Sequence, residues 1–231
     1  MRFYIFSIFL FFSAALLRSQ DVSNQDLREK NRLAAVKQIK ELKNGVLLVM
    51  LKTQSNKIAA MRKAGYAEDA NKVEKEQADY NLLAIKAFRK EFKFCPVYFF
   101  MSTYGPAMYD KKLEKVVFVN DSLKPDSNIK FKSGPYYIAE FGVIEQDTIQ
   151  TRGNNYFLPN ETADNERKSS YSGGSDPGFG ALLIRSDKFY QLRKPFPYYV
   201  RTFDGLPMKR TLETVVKKMN EKLLFFYEQN K

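Results

Sequence analysis

The sequence predicts an α/β fold: a single sandwich whose five- or six-stranded, partly parallel sheet carries packed helices, with the N-terminal half helix-rich and the C-terminal half strand-rich. Three observations carry this. Two apolar runs, at 45–53 and 94–103, flank about 40 residues of helical pattern, which is the order of a βαβ crossover. Short runs of β-forming residues, punctuated by Pro, Gly, Asn and Asp, recur from residue 115 onward. Apolar residues make up 44% of the 231, including 20 Phe and 14 Tyr, so the chain can build a packed core.

The elements follow in order. Residues 23–43, SNQDLREKNRLAAVKQIKELK, read as a helix with Leu33, Val36, Ile39 and Leu42 on one stripe. Ser23 and Asp26 resemble a capping box, and Gly45 suits a C-terminal cap. The run GVLLVMLKT then drops the helical period. Its six consecutive apolar residues predict a strand buried on both faces. Gly65 divides the next stretch into a short helix at 55–64 and a long one at 67–92. Val73, Tyr80, Leu83, Phe88 and Phe92 are expected on the inner face of the long helix. FCPVYFFMST forms the second strand, with Pro96 near its start because proline donates no ladder hydrogen bond.

Later strands are expected at 115–121, 136–145, 180–186 and 198–203, with a weaker one at 128–132. A last helix spans about 207–229. Pro207 falls in its first turn, and its stripe is Leu212, Val215, Val216, Met219, Leu223 and Tyr227. Residues 146–179 show no regular period and have the composition of a mobile loop.

The N-terminus has the form of a signal peptide over residues 1–20, ahead of a single α/β domain at 21–231. Arg2 precedes 15 uncharged residues, Phe3 to Leu17, and small residues follow. That run falls short of a spanning helix, so no transmembrane segment is expected after cleavage. The expected location is periplasmic or secreted. The formal charge is +12, and loss of Arg2 and Arg18 with the signal leaves +10. Outside the cytosol the acidic partners that fit such a charge are an acidic glycan, a lipid head group or a protein. Nucleic acid is not expected.

Composition also removes chemistries. There is no histidine and only one cysteine. A Ser-His-Asp or Cys-His pair is excluded, as are a His-ligated zinc site and an internal disulfide. No cofactor or metal motif is read. The glycines of SYSGGSDPGFG precede a strand and lack the lysine of a phosphate loop. A thiol redox role would rest on Cys95 alone. It lies among Phe94, Val97, Phe99 and Phe100, a dry setting that suits packing better than thiolate chemistry.

If the sheet is largely parallel, a ligand belongs beyond the strand carboxyl ends. The polar residues at the predicted exits are Lys52 and Thr53; Ser102, Thr103 and Tyr104; Asn120 and Asp121; Glu145 and Asp147, with Arg152 nearby; and Arg185 and Asp187. From these, Ser102, Thr103, Tyr104, Glu145, Asp147 and Arg152 are the candidate ligand-binding residues. No catalytic acid–base pair can be assigned. The expectation is therefore a binding or interaction module of the cell envelope. The alternatives are a carboxylate-based hydrolase at the same strand ends and a thiol redox protein. Two triplets, Asp121-Ser122-Leu123 and Asp147-Thr148-Ile149, resemble short O-glycosylation acceptors.

Overall fold

The computed structural model describes residues 25–129, 131, 133–144, 180–203 and 209–231. They form one six-stranded mixed sheet with helices packed on it. A first helix, α1, covers 25–44. It is followed by β1 (Val46–Leu51), α2 (Ser55–Lys63), α3 (Ala67–Glu91) and β2 (Val97–Met101). A short helix, α4 (Gly105–Tyr109), leads to β3 (Phe118–Val119). The rest are β4 (Tyr136–Val143), β5 (Gly180–Arg185), β6 (Tyr199–Arg201) and α5 (Leu212–Glu228). The helix-rich first half and strand-rich second half match the sequence pattern.

The sheet order is β3-β2-β1-β4-β5-β6. β1 lies between β2 and β4 and runs parallel to both, with Leu47 opposite Val97 and Val46 opposite Tyr136. β3, β5 and β6 are antiparallel to their neighbours. The predicted βαβ unit is thus β1, α2–α3, β2. Pro96 stands just before β2, where its carbonyl accepts from Leu47 N–H at 2.9 Å.

The apolar run of β1 is continuous because both faces are covered. Leu47, Val49 and Leu51 enter one core with Ala35, Ile39 and Leu42 of α1, Ala84, Ile85 and Phe88 of α3, and Val215, Val216 and Met219 of α5. Leu48 and Met50 enter a second core with Met108, Val116, Phe118, Ile138 and Phe189. Three long helices therefore cover one face. The other is covered by α4 and by Leu113, Val116, Ile129, Phe131 and Phe189 from the segments that flank β3 and follow β5. Phe88 anchors the first layer, its ring meeting those of Phe92, Phe99 and Phe141.

Several local expectations need correction. Leu33 is 56% exposed, and α1 buries Ala35, Ile39 and Leu42. Leu83 of α3 also faces outward, and Tyr80 lies at the margin, 37% exposed with its ring edge-on to Phe141 of β4 at 5.8 Å. The buried stripe of α3 is Ala70, Gln77, Asn81, Ala84, Ile85 and Phe88, a helical face that admits two amides because it abuts backbone as well as side chains. The strand expected at 115–121 shrinks to Phe118–Val119. Ile129 and Phe131, from the weak strand expected at 128–132, pack on the second core outside any strand. α5 starts at Leu212, where the Thr211 hydroxyl accepts from Thr214 N–H at 3.2 Å. Pro207 and Ser23 lie outside the described residues.

The two glycines read as punctuation act differently. Gly65, at φ +89°, closes α2: Tyr66 N–H reaches Met61 O at 2.9 Å and Gly65 N–H reaches Arg62 O at 3.1 Å. Gly45 is required by close approach. A Cβ there would lie 2.2 Å from the carbonyl oxygen of Pro135.

Candidate functional site

The parallel core sets the geometry of the rim. β1, β2 and β4 run together, so the exits after Leu51, Met101 and Val143 share one end of the sheet. β3 and β5 run the other way, so Asn120, Asp121 and Asp187 belong to the opposite end. Asp121 pairs with Arg89 at 2.8 Å and Asp187 with Lys111 at 2.7 Å. Arg185 is not an exit residue at all. It is fully buried in β5 and paired with Glu140 of β4. Glu145, Asp147 and Arg152 lie outside the described residues, as do the 146–179 segment and the second glycosylation-like triplet. The first triplet, Asp121-Ser122-Leu123, follows β3 in a turn, where Ser122 N–H donates to the Asn120 side chain at 2.9 Å.

At the shared end, the chain leaves β1 and β2 toward opposite faces. β1 continues into α2 and thence α3, which packs on the first core. β2 continues through Ser102–Tyr104 into α4, whose Met108 sits in the second core. A crevice opens where neighbouring parallel strands part in this way, a recurrent ligand position in α/β sheets. Here Thr53 and Ser102 stand at the parting. Ser102 Oγ accepts from Thr53 N–H at 3.2 Å and lies 3.2 Å from Thr53 Oγ1, which is 3.4 Å from Ser55 Oγ. Three hydroxyls thus form one chain across the split.

The open crevice beside them has a volume of about 520 Å³ and is lined by Thr53, Ser55, Ile58, Ala59, Arg62, Glu74 and Thr103. Ile58 and Ala59 give it an apolar wall from α2. Arg62 and Glu74, on α2 and α3, pair at 2.6 Å on its charged side, and Arg62 also donates to Asn71 at 3.0 Å. Of the candidate residues, Thr103 lines this space directly. Ser102 is buried behind it and positions Thr53. Tyr104 turns away and packs against the second core.

Behind the crevice lies a polar relay on the inner face of α3. Asn81 donates to the carbonyl of Lys52 at 2.8 Å and accepts from Gln77 at 3.1 Å; Gln77 accepts from Gln54 at 2.5 Å. Gln54 is the last of the three residues between β1 and α2 and sits in the left-handed region, at φ 52°. Such backbone costs about 1–3 kcal/mol for a non-glycine residue and persists where its surroundings fix it. The relay does so here. Gln77 and Asn81 have no apolar signature, which is why a stripe of large hydrophobic residues misses them. The signal that could have found them is the spacing 70, 77, 81, 84, 88 with only small, amide or apolar residues.

Cys95 packs at the edge of the first core. Burial pushes its thiol up to about 12, outweighing a hydrogen bond from the Leu47 backbone and the charge of Lys43. A thiol so held is protonated at neutral pH and is a poor nucleophile. Among the described residues no cluster of acidic or thiol side chains is arranged to hold a metal ion.

No known family, no curated protein and no solved structure matches this chain.

Proposed function

We propose that the protein is an exported binding module of the cell envelope and that it takes a small, neutral polar ligand in the crevice between the exits of β1 and β2. The observation that carries this reading is the hydroxyl chain Ser55–Thr53–Ser102 at the parting of two parallel strands, beside a concavity of ligand size. Neutrality follows from the rim. Its cation, Arg62, and its carboxylate, Glu74, already satisfy each other, so neither sign of ligand charge finds an uncompensated partner. Hydroxyls and the small apolar wall of Ile58 and Ala59 suit a sugar or a similar solute. Binding is favoured over hydrolysis because a carboxylate-based mechanism needs two carboxyl groups facing one point, and Glu74 is the only carboxylate among these lining residues. The N-terminal apolar stretch behind Arg2 supports export.

Amide shifts of Thr53, Ser55 and Thr103 during titration with neutral monosaccharides and amino acids test the site. The expected result is a saturable shift confined to these residues and abolished by Ala59→Trp, which fills the crevice from an exposed helical position. Shifts that survive Ala59→Trp, or none with any solute, would sink the proposal.

A further inference from the structure

We propose that the flank formed by Lys194, Arg210, Lys218, Lys222 and Phe225 docks on an anionic lipid surface. These residues are separate from the crevice, and the inference does not depend on it.

Residues 218, 222 and 225 of α5 are spaced i, i+4 and i+7, which puts them on one helical stripe. Two of them are cations, and the third is a phenylalanine that is 66% exposed, more than any other large apolar side chain among the described residues. The stripe runs beside β6, the edge of the sheet. There Lys222 Nζ donates to Tyr199 O at 3.3 Å and lies 5.6 Å from the Tyr199 ring centre. Arg210 donates to Arg201 O at 3.2 Å and covers the ring of Phe203 at 4.3 Å. Lys194 completes the group. Partial burial, then the nearby charges of Arg210, Lys218 and Lys194, hold the Lys222 amine below its usual pKa, so these three cations each lie within electrostatic reach of Lys222.

None of the four enters an ion pair with a described residue. The carboxylates of α5 do not relieve them. Glu213 pairs with Lys90 and Glu228 with Lys231, while Glu221, beside Lys222 in sequence, pairs with neither Lys218 nor Lys222. Shielding of the sheet edge accounts for Arg210 and Lys222, which occupy outward carbonyls of β6. It does not account for Lys194, Lys218 or the exposed Phe225. A cationic cluster with a protruding aromatic ring is the composition that seats at a lipid interface: the cations meet head-group phosphates and the ring enters the acyl boundary. A nucleic acid would need a series of free aromatic faces on which to stack successive bases, and Phe225 supplies only one. The faces of Tyr199 and Phe203 already carry Lys222 and Arg210.

Flotation of the full chain with vesicles of phosphatidylcholine, alone or mixed with phosphatidylglycerol, tests this. The expected result is binding to the mixed vesicles that falls with added salt. It drops about fivefold for each cation removed by Lys218→Gln or Lys222→Gln, and about tenfold with Phe225→Ser. All three positions are on the surface, and unchanged circular dichroism confirms folding. Equal binding to neutral vesicles, unmoved by these substitutions, assigns adhesion to the apolar residues 3–17 and overturns the proposal. So does retention on dextran sulfate that needs the lysines while vesicle binding ignores Phe225→Ser; that outcome assigns the flank to an acidic polymer.

Discussion

Glu140 and Arg185 form an ion pair inside the second layer of the molecule, Nε to Oε1 at 2.5 Å, with side chains only 3% and 0% exposed. They stand diagonally on the antiparallel pair β4–β5, where Arg185 is opposite Ile138 and Glu140 opposite Leu183. Arg185 also donates to the carbonyl of Phe189 at 3.2 Å and so ties the turn after β5 to the sheet. Buried charges of this kind depend on each other more than they stabilise the fold. Glu140→Gln or Arg185→Met alone is expected to cost about 3–5 kcal/mol, because each leaves its partner's polar atoms buried without their charge complement. The double variant Glu140→Leu/Arg185→Met should recover most of that loss. Urea denaturation of the three variants measures it, and a double variant as unstable as the sum of the singles would contradict the argument.

Gly45 marks the closest backbone approach in the fold's first turn. A methyl group there would lie 2.2 Å from Pro135 O and 2.8 Å from Glu41 O, both rigid backbone atoms. Val46 N–H also donates to Pro135 O at 3.1 Å, so the clash cannot be relieved without opening the β1–β4 ladder at its start. Gly45→Ala is expected to destabilise by about 1–3 kcal/mol, as overpacking does. Gly65→Ala meets open space and pays only for its positive φ, about 1–2 kcal/mol. Paired denaturation midpoints check the order, and a Gly45→Ala variant milder than Gly65→Ala would refute it.

The sheet and its helices were legible where period and punctuation agree. The continuous apolar run of β1 implied two covered faces, and Leu47 and Leu48 do enter different cores. Gly65 and Pro96 fall where their backbone chemistry places them. Strand direction was not legible. Asn120 and Asp187 look like exits in the same sense as Thr53 and Ser102, and only the antiparallel pairing of β3 and β5 sends them to the other end. Nor was the amide relay legible, because Gln77 and Asn81 read as surface residues until the carbonyl of Lys52 is set against them. Arg185 was misread for a related reason: a charge ending an apolar run signals an exit unless a buried carboxylate two strand positions away neutralises it.

Stability at high pH should be set by three acids that the fold holds protonated, the buried Tyr136 and Tyr137 and the half-buried Cys95. Burial raises Cys95 to about 12. Burial, then the Asp187 carboxylate, raises Tyr136 to about 12. Burial, then the hydrogen bond it donates to Glu41 at 2.8 Å, raises Tyr137. Each folded-state pKa lies above its unfolded value, so the unfolded chain releases these protons first. Their contribution is fully present below pH 8 and is lost as pH climbs from about 9 toward 12, at up to roughly 1.4 kcal/mol per pH unit for each group. Cys95→Ala should flatten the decline between pH 9 and 10, before the tyrosines contribute. The native thiol should also resist iodoacetamide at pH 8 and react once denatured. A native Cys95 that labels at the rate of a free thiol would show that the site opens.

The relay behind the crevice is expected to fix the exit of β1. Asn81 gives its amide hydrogen to Lys52 O and takes one from Gln77, so each group it satisfies is buried or half-buried. Asn81→Leu keeps the volume and removes both bonds, at about 1–3 kcal/mol for the groups left unmatched. Asn81→Asp keeps the acceptor for Gln77 but turns a carboxylate toward the Lys52 carbonyl, and should cost more at pH 7 than at pH 4, where the protonated acid can donate again. Hydrogen exchange at Thr53 and Ser55 reports the local consequence: protection should fall there in both variants, while the amides of β5, on the far side of β4, remain protected. Uniform loss across the sheet would instead mean that Asn81 supports the fold as a whole and has no special hold on the rim where Thr53 meets Ser102.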